Sequence, residues 1–282
     1  SSALIASTFS LGKRSSALGL YNASGDVGKL AFSGGFSFAA GAGMAWYQTT
    51  LIYAGLSVLA AFVVIVMSTT LRHKAHHAEP DTGGTGANDA NGAISRWGVL
   101  NWRPFSILLA TACIDNMIQT SVLVFTAFLM LSKGLPLWLA TGATVILLAG
   151  GVVGKAVCGF LADRMGVRHA FTLVQGLTAI GLVMIVIAPT WLAIGLLLPL
   201  GAVVQGSTSI TYGFAADLIH PRRMARGYGL LYASGSFAAA CVPPLFGALG
   251  DWVGISVSFY AMAIATLLAV PLIYLLPQPS RD

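Results

Sequence analysis

The sequence predicts an all-α, polytopic membrane protein with about eight transmembrane helices. Of its 282 residues, 56% are apolar and only 9% are charged, whereas soluble domains carry roughly 25% charged residues. Apolar runs of roughly 20 residues, the length that crosses a bilayer, recur along the chain. The 33 glycines suit helices that pack closely in lipid. A soluble domain of this size would have too few charges to cover its surface.

The apolar runs fall into two groups. Two spans are predicted before residue 70, at about 17–43 and 47–69. Six more follow residue 103, at about 104–131, 136–161, 170–188, 191–217, 227–249 and 253–276. The polar stretch between the groups, which is rich in Gly and Asn and has Trp and Arg at its end, indicates a solvated linker that finishes at the membrane interface. The predicted division is therefore 1–69, a linker at 70–103, and a six-helix unit at 104–282.

The basic residues outside the spans lie mainly on one side. The chain has 15 Lys and Arg residues, of which Lys133 alone falls in a turn on the opposite side. Twelve fall on the basic side: Lys13, Arg14, Arg72, Lys74, Arg96, Arg103, Arg164, Arg168, Arg222, Arg223, Arg226 and Arg281. The positive-inside rule makes this side cytoplasmic, and an even number of spans returns both ends of the chain to it. The net charge of +6 is thus explained by orientation in the membrane, and no nucleic-acid binding is expected.

The three cysteines, Cys113, Cys158 and Cys241, fall inside apolar spans. They have no paired spacing and no nearby His ligands, so we expect them to be small packing residues. No metal site is predicted.

The first span carries an unusual polar face. Asn22, Asp26 and Lys29 follow i, i+4, i+7 spacing and share one side of the helix. An ionisable residue at membrane depth costs about 2.5–3.5 kcal/mol on insertion scales, so each one calls for a reason. Two interpretations are open: Asp26 and Lys29 form a self-neutralising structural pair, or Asp26 takes up and releases a proton beside Lys29.

Two ionisable residues also lie inside apolar spans of the six-helix unit. Asp115, which is followed by Asn116 and shares a helix face with Gln119, has no basic residue three or four positions away. A lone carboxylate in a low-dielectric environment suits a proton carrier; the alternative is a structural carboxylate bonded to a neighbouring helix. Lys155 either snorkels to the cytoplasmic interface or faces inward, where it would pair with Asp115 or an anionic substrate.

A short internal repeat relates the two groups of spans. The heptapeptide that starts at Gly19 matches the one that starts at Gly229 in five of seven positions. Both copies follow a basic turn and both open a span. Repeats of this kind, related by an axis along the membrane normal, occur in the halves of some transporters. Pro243 and Pro244, later in the span of the second copy, predict a kink there.

The sequence from Gly159 to Arg168 reads G-x-L-A-D-R-x-G-x-R between two spans. This motif resembles the signature loop of the major facilitator superfamily of transporters. The resemblance implies that the span at 17 is the fifth helix of such a protein and the span at 227 the eleventh. Residues 1–9 would then be the end of the fourth helix, and the sequence would be a fragment or a truncated product that lacks the first three.

The resemblance also implies roles for particular residues. The signature loop, with Gly159, Asp163, Arg164, Gly166 and Arg168, would form a tight turn. Asp163 would cap the helix start near residues 16–20, and Arg168 would engage a nearby carboxylate or carbonyl to lock the cytoplasmic gate. The central path would be lined by polar residues of the fifth, seventh, eighth, tenth and eleventh helices. These are Asn22, Asp26, Lys29, Asp115, Asn116, Gln119, Lys155, Gln205, Tyr212, Tyr232 and Ser236, although interhelical hydrogen bonding would also explain such polar stripes.

The expected function is secondary active transport of a small molecule, driven by a proton gradient, without a cofactor and without enzymatic activity. Bacterial drug-efflux members, including the fosmidomycin-resistance group, show the nearest resemblance. The expected location is the bacterial inner membrane, as a monomer. The alternatives are uptake of an organic anion or metabolite, or a non-transporting remnant.

Overall fold

The computed structural model describes residues 14–75, 97–220 and 223–276. Within these ranges the chain forms nine α-helices, which confirms the predicted all-α class. The helices are α1 (Arg14–Gly41), α2 (Trp46–Ala75), α3 (Trp102–Ser132), α4 (Leu137–Met165), α5 (Val167–Ile187), α6 (Thr190–Ala215), α7 (Met224–Cys241), α8 (Pro243–Val253) and α9 (Ile255–Tyr274). A 3₁₀ turn, Ala216–Leu218, extends α6.

Six segments of the described chain are long and apolar enough to cross a membrane. They are α3, α4, α5, α6 with its 3₁₀ turn, α7 with α8, and α9, and they correspond to the six spans predicted after the linker. A shorter apolar helical stretch covers Tyr47–Val63 of α2. The first two predicted spans are therefore helical, but their crossing of the membrane stays a prediction.

The chain divides into two compact units, residues 35–93 and residues 1–34 with 94–282. The boundary falls inside α1, so that the first part of α1 belongs with α3 to α9. Every side-chain contact of the candidate site lies within this larger unit. The division of the chain at the linker stays a prediction.

The internal repeat is visible in the positions of the helices. The repeated heptapeptide lies inside a helix in both copies, in α1 for the copy at Gly19 and in α7 for the copy at Gly229, at an offset of 210 residues. The next helices of the two copies, α2 and α9, begin at Trp46 and Ile255, which is nearly the same offset again. The repeat thus extends over two successive spans in each copy.

The two copies differ at a proline pair. Helix α1 is continuous, whereas its counterpart is divided into α7 and α8 at Val242. Pro243 and Pro244 have no backbone N–H, so they cannot continue the i to i−4 hydrogen bonds of α7. The helix is thus interrupted at the predicted pair, and a change of direction there stays a prediction.

The predicted signature loop is mostly helical, so its prediction as a loop was wrong. Helix α4 continues through Met165, which places Gly159 inside the helix and Asp163 in its last turn. Gly166 alone separates α4 from α5, with φ of 84°, and its N–H donates to the Ala162 carbonyl at 2.9 Å. A positive φ is favourable mainly for glycine, so this one residue makes the turn.

The segment before α3 is joined to the segment after α6 by backbone hydrogen bonds. Val99 and Ile219 form an antiparallel bridge, and the N–H of His220 donates to the Gly98 carbonyl at 2.8 Å. Val99 is buried. The end of the linker is predicted as an interfacial segment, and part of it is hydrogen-bonded to the six-helix unit through its backbone.

Helices α4 and α6 run parallel and touch through their backbones. A Cβ atom on Gly150 would collide with the Leu198 carbonyl, and one on Gly154 with the Ala202 carbonyl. Gly201 meets the backbone of α4 in the same way. Small residues allow this close approach, which increases van der Waals contact where lipid supplies no hydrophobic drive.

Replacing Gly201 by Ala should lower the free energy of unfolding by about 1–3 kcal/mol, because the added methyl group overpacks the contact with α4. On the same helix, Gly195 has open space around its Cα. Gly195→Ala should leave stability unchanged or raise it by up to about 1 kcal/mol through helix propensity. Unfolding of the full-length protein in mixed micelles measures both variants, and equal stability of the two would contradict the tight contact.

Candidate functional site

Three ionisable residues lie at similar depth within the bundle. Asp26 lies in the first half of α1, Lys155 in the second half of α4, and Asp115 in the first half of α3. At a rise of about 1.5 Å per residue, Lys155 lies about 15 Å from the end of α4 and Asp115 about 20 Å from the start of α3, both on the predicted cytoplasmic side. Asp26 lies at the depth of Lys155, with which it forms an ion pair. In a hydrocarbon core about 30 Å thick, this is near the middle.

Asp115 is held by two neighbouring helices. The Ser207 hydroxyl of α6 lies 2.7 and 2.8 Å from its two carboxylate oxygens, and Gln175 Nε2 of α5 donates to Oδ1 at 2.9 Å. The residue is only 4% exposed. Ser207 and Gln175 were not predicted as site residues. Gln175, a single amide in the middle of an apolar span, was a signal that could have identified one of them.

Asp26 binds two lysines. Its Oδ1 lies 2.8 Å from Lys29 Nζ and its Oδ2 lies 2.5 Å from Lys155 Nζ. Asp26 and Lys155 are buried, whereas Lys29 is exposed. The local pair predicted from the i, i+3 spacing is thus present, together with a second pair that joins α1 to α4. Snorkelling of Lys155 was a wrong interpretation, because its ammonium group is turned inward and neutralised by Asp26.

Two amides of α3 bind α6. Gln119 Nε2 donates to the Val204 carbonyl at 3.1 Å and to the Thr208 hydroxyl at 2.9 Å. Asn116 Nδ2 donates to the Ala112 carbonyl of its own helix at 2.8 Å and reaches the Tyr212 hydroxyl at 3.5 Å. The predicted polar stripes of α3 and α6 therefore face each other.

A group of tyrosines connects α6 to α7. The rings of Tyr212 and Tyr232 are 4.7 Å apart in an edge-to-face arrangement, and the Tyr228 hydroxyl donates to the Tyr212 carbonyl at 2.6 Å. Tyr228 was not predicted, although it lies one helical turn before Tyr232. Tyr212 therefore contacts both Tyr232 and Asn116.

The remaining path candidates differ in environment. Gln205 is buried, and its Nε2 has no acceptor among the described residues. Ser236 is exposed. Asn22 lies in α1, but its side chain is outside the described part of the chain.

The arginine side chains of the signature motif contact residues of the six-helix unit. The guanidinium of Arg168 donates to the Leu276 carbonyl just after α9 and lies 6.0 Å from the Tyr274 ring. Arg164 lies over the Phe160 ring of its own helix at 4.3 Å. Arg168 thus contacts a carbonyl at the end of α9, and its role in locking the cytoplasmic gate stays a prediction. Capping of the helix start near residues 16–20 by Asp163 stays a prediction.

The family described as Major Facilitator Superfamily matches residues 142–282, which is half of the chain. This chain belongs to that superfamily. No curated protein matches it. A solved structure of a bacterial homologue of the iron transporter ferroportin, in the outward-facing state, is similar in fold, with a TM-score of 0.57 and 18% sequence identity. The similarity covers 96% of this chain and 65% of that protein, so the present chain spans about two-thirds of its length.

Replacing Ser207 by Ala should lower the free energy of unfolding by about 1.5–3 kcal/mol, because the buried Asp115 carboxylate loses a hydroxyl donor. Ser234 provides a matched control, since its hydroxyl donates to the Leu230 carbonyl of its own helix at 2.8 Å. Ser234→Ala should change stability by less than about 0.5 kcal/mol. Unfolding in mixed micelles at pH 7 measures both, and a neutral Ser207→Ala variant would show that Asp115 does not depend on this hydroxyl.

Proposed function

We propose that the full-length protein is a secondary active transporter of a small molecule that works by alternating access. The observation that carries this proposal is the buried ion pair between Asp26 of α1 and Lys155 of α4 near mid-membrane depth. Charges at this depth are expensive, and they mark substrate or ion pathways in membrane proteins. Helices α1 and α4 lie on opposite sides of the linker in sequence, so this pair connects elements that alternating access would move relative to each other.

Proton coupling through Asp115 is the second part of the proposal. The Ser207 hydroxyl lies near both carboxylate oxygens and also 3.0 Å from the Val204 carbonyl. When Asp115 is charged, Ser207 donates to it. When Asp115 is protonated, its O–H donates to Ser207 Oγ, and the serine proton turns to the Val204 carbonyl. Both protonation states thus satisfy every hydrogen bond, as a reversible proton site requires.

The remaining features of the proposal follow the family resemblance. We place the transporter in the bacterial inner membrane with both ends cytoplasmic, as a monomer, with the proton gradient as its energy source. We propose the drug-efflux subtype, and the buried positive charge of Lys155 favours anionic substrates within this subtype.

Replacing Asp115 by Asn should abolish accumulation driven by a pH gradient, while exchange of substrate at equal pH continues. The amide keeps the size of the side chain but cannot release a proton. The measurement uses full-length protein in liposomes with an imposed pH gradient, first to identify a substrate from a panel of labelled metabolites and antibiotics, then to compare accumulation with counterflow.

Asp251 at the end of α8 is exposed and supplies the matched control. Asp251→Asn should accumulate substrate as the wild type does. Gradient-driven accumulation by Asp115→Asn at the wild-type rate would refute proton coupling at this residue. Absence of both accumulation and counterflow for the wild-type protein over the whole panel would refute transport.

A further inference from the structure

The lysine pair around Asp26 carries more positive charge than its carboxylate neutralises. Lys29 and Lys155 contribute two positive charges and Asp26 one negative charge, so the trio has a formal charge of +1. Asp115 also interacts electrostatically with Lys155, and its hydrogen-bond partners Ser207 and Gln175 are neutral, so a charged Asp115 balances this excess and a protonated Asp115 leaves it uncompensated. When Asp115 is protonated, a further negative group at the trio is therefore attracted electrostatically, and the low dielectric of the membrane strengthens that attraction.

Lys155 also has hydrogen bonds left to make. An ammonium group has three N–H donors, and Asp26 is the ionic or hydrogen-bonding partner of Lys155 within the described part of the chain. Because the residue is only 4% exposed, bulk water does not readily satisfy the other donors. Buried donors without acceptors are rare in native structures and call for an explanation.

A second, independent donor packs against α4 one helical turn from Lys155. Gln205 is 2% exposed, and its Nε2 has no acceptor among the described residues. Its side chain packs over Gly151 of α4, where a Cβ atom would lie 2.6 Å from Gln205 Cγ. Gly151 and Lys155 are one helical turn apart on the same face of α4. Lys155, which has more donors than its ion pair with Asp26 uses, and Gln205, whose amide has no acceptor among the described residues, therefore lie along neighbouring turns of α4.

We propose that Lys155 and Gln205 bind an oxyanion, a carboxylate or phosphate group, of the transported molecule. This proposal rests on the proposed transport function and names its substrate class. The oxyanion replaces Asp26 at Lys155, and Asp26 stays paired with the exposed Lys29. Binding thereby breaks the direct ion pair between α1 and α4, which links occupancy of the site to release of these two helices.

The test measures thermal unfolding of the full-length protein in detergent against increasing sodium succinate and sodium phosphate, with sodium chloride at matched ionic strength as reference. A ligand that binds the folded state raises Tm in a saturable way. At least one of the two oxyanions should do so. Asp26→Asn should bind it about tenfold more tightly, because the competing carboxylate is gone, and Lys155→Gln should bind it at least about tenfold more weakly.

Lys155→Arg keeps the charge and should retain binding. Arg103→Gln removes an exposed cation at the start of α3 and should bind as the wild type does. If Lys155→Gln does not fold, the test rests on whether Asp26→Asn raises or lowers the affinity for the oxyanion. The proposal would be overturned if Asp26→Asn bound the oxyanion more weakly than the wild type, or if a folded Lys155→Gln bound it equally well. It would also be overturned if neither oxyanion gave a saturable rise in Tm with the wild type and with Asp26→Asn.

The result also separates this proposal from the transport function. Oxyanion binding that depends on Lys155, without any accumulation or counterflow in liposomes, would refute transport and leave the binding site standing. Accumulation of a neutral or cationic compound, without oxyanion binding, would support transport and refute the substrate class.

Discussion

The architecture depends on how charge is accommodated near the middle of the bilayer. A single carboxylate, Asp26, accepts two ammonium groups, and one of them comes from another helix. Removing one partner of a buried pair leaves an uncompensated charge, which typically destabilises by about 3–5 kcal/mol. The positions of α1 and α4 are therefore coupled to the charge state of this pair.

The neutral contacts of the six-helix unit have a different character. Helices α4 and α6 meet along glycines, where their backbones are in contact. This close contact leaves the two helices little freedom to slide past each other. Asp115, Gln119 and Asn116 all hydrogen-bond or approach α6 from α3. These contacts make α3, α4 and α6 a rigid frame around the polar residues, and rigid supports hold functional groups in place more precisely than loops do. The transport cycle proposed above would concentrate rearrangement at the ion pair.

Much of this arrangement follows from local sequence rules. Apolar run length predicts the six spans, spacing predicts the Asp26–Lys29 pair, and the proline pair predicts the division between α7 and α8. The partners of Lys155 and Asp115 were not predictable in this way, because they lie far away in sequence and no periodicity relates them. The signature motif predicts a turn that includes Gly159, whereas α4 continues past this residue to Met165. Within an apolar helix, a glycine serves close packing as readily as a turn.

The proline pair between α7 and α8 has a consequence for hydration. Without N–H groups at Pro243 and Pro244, the carbonyls of Ala239 and Ala240 lose their regular helical donors. Hydrocarbon chains offer no replacement, and free carbonyls are tolerated at membrane depth only where protein or a water-filled cavity satisfies them. These two oxygens therefore need donors from neighbouring protein or from water in a cavity, so the break marks a polar point in the otherwise apolar outer part of this span.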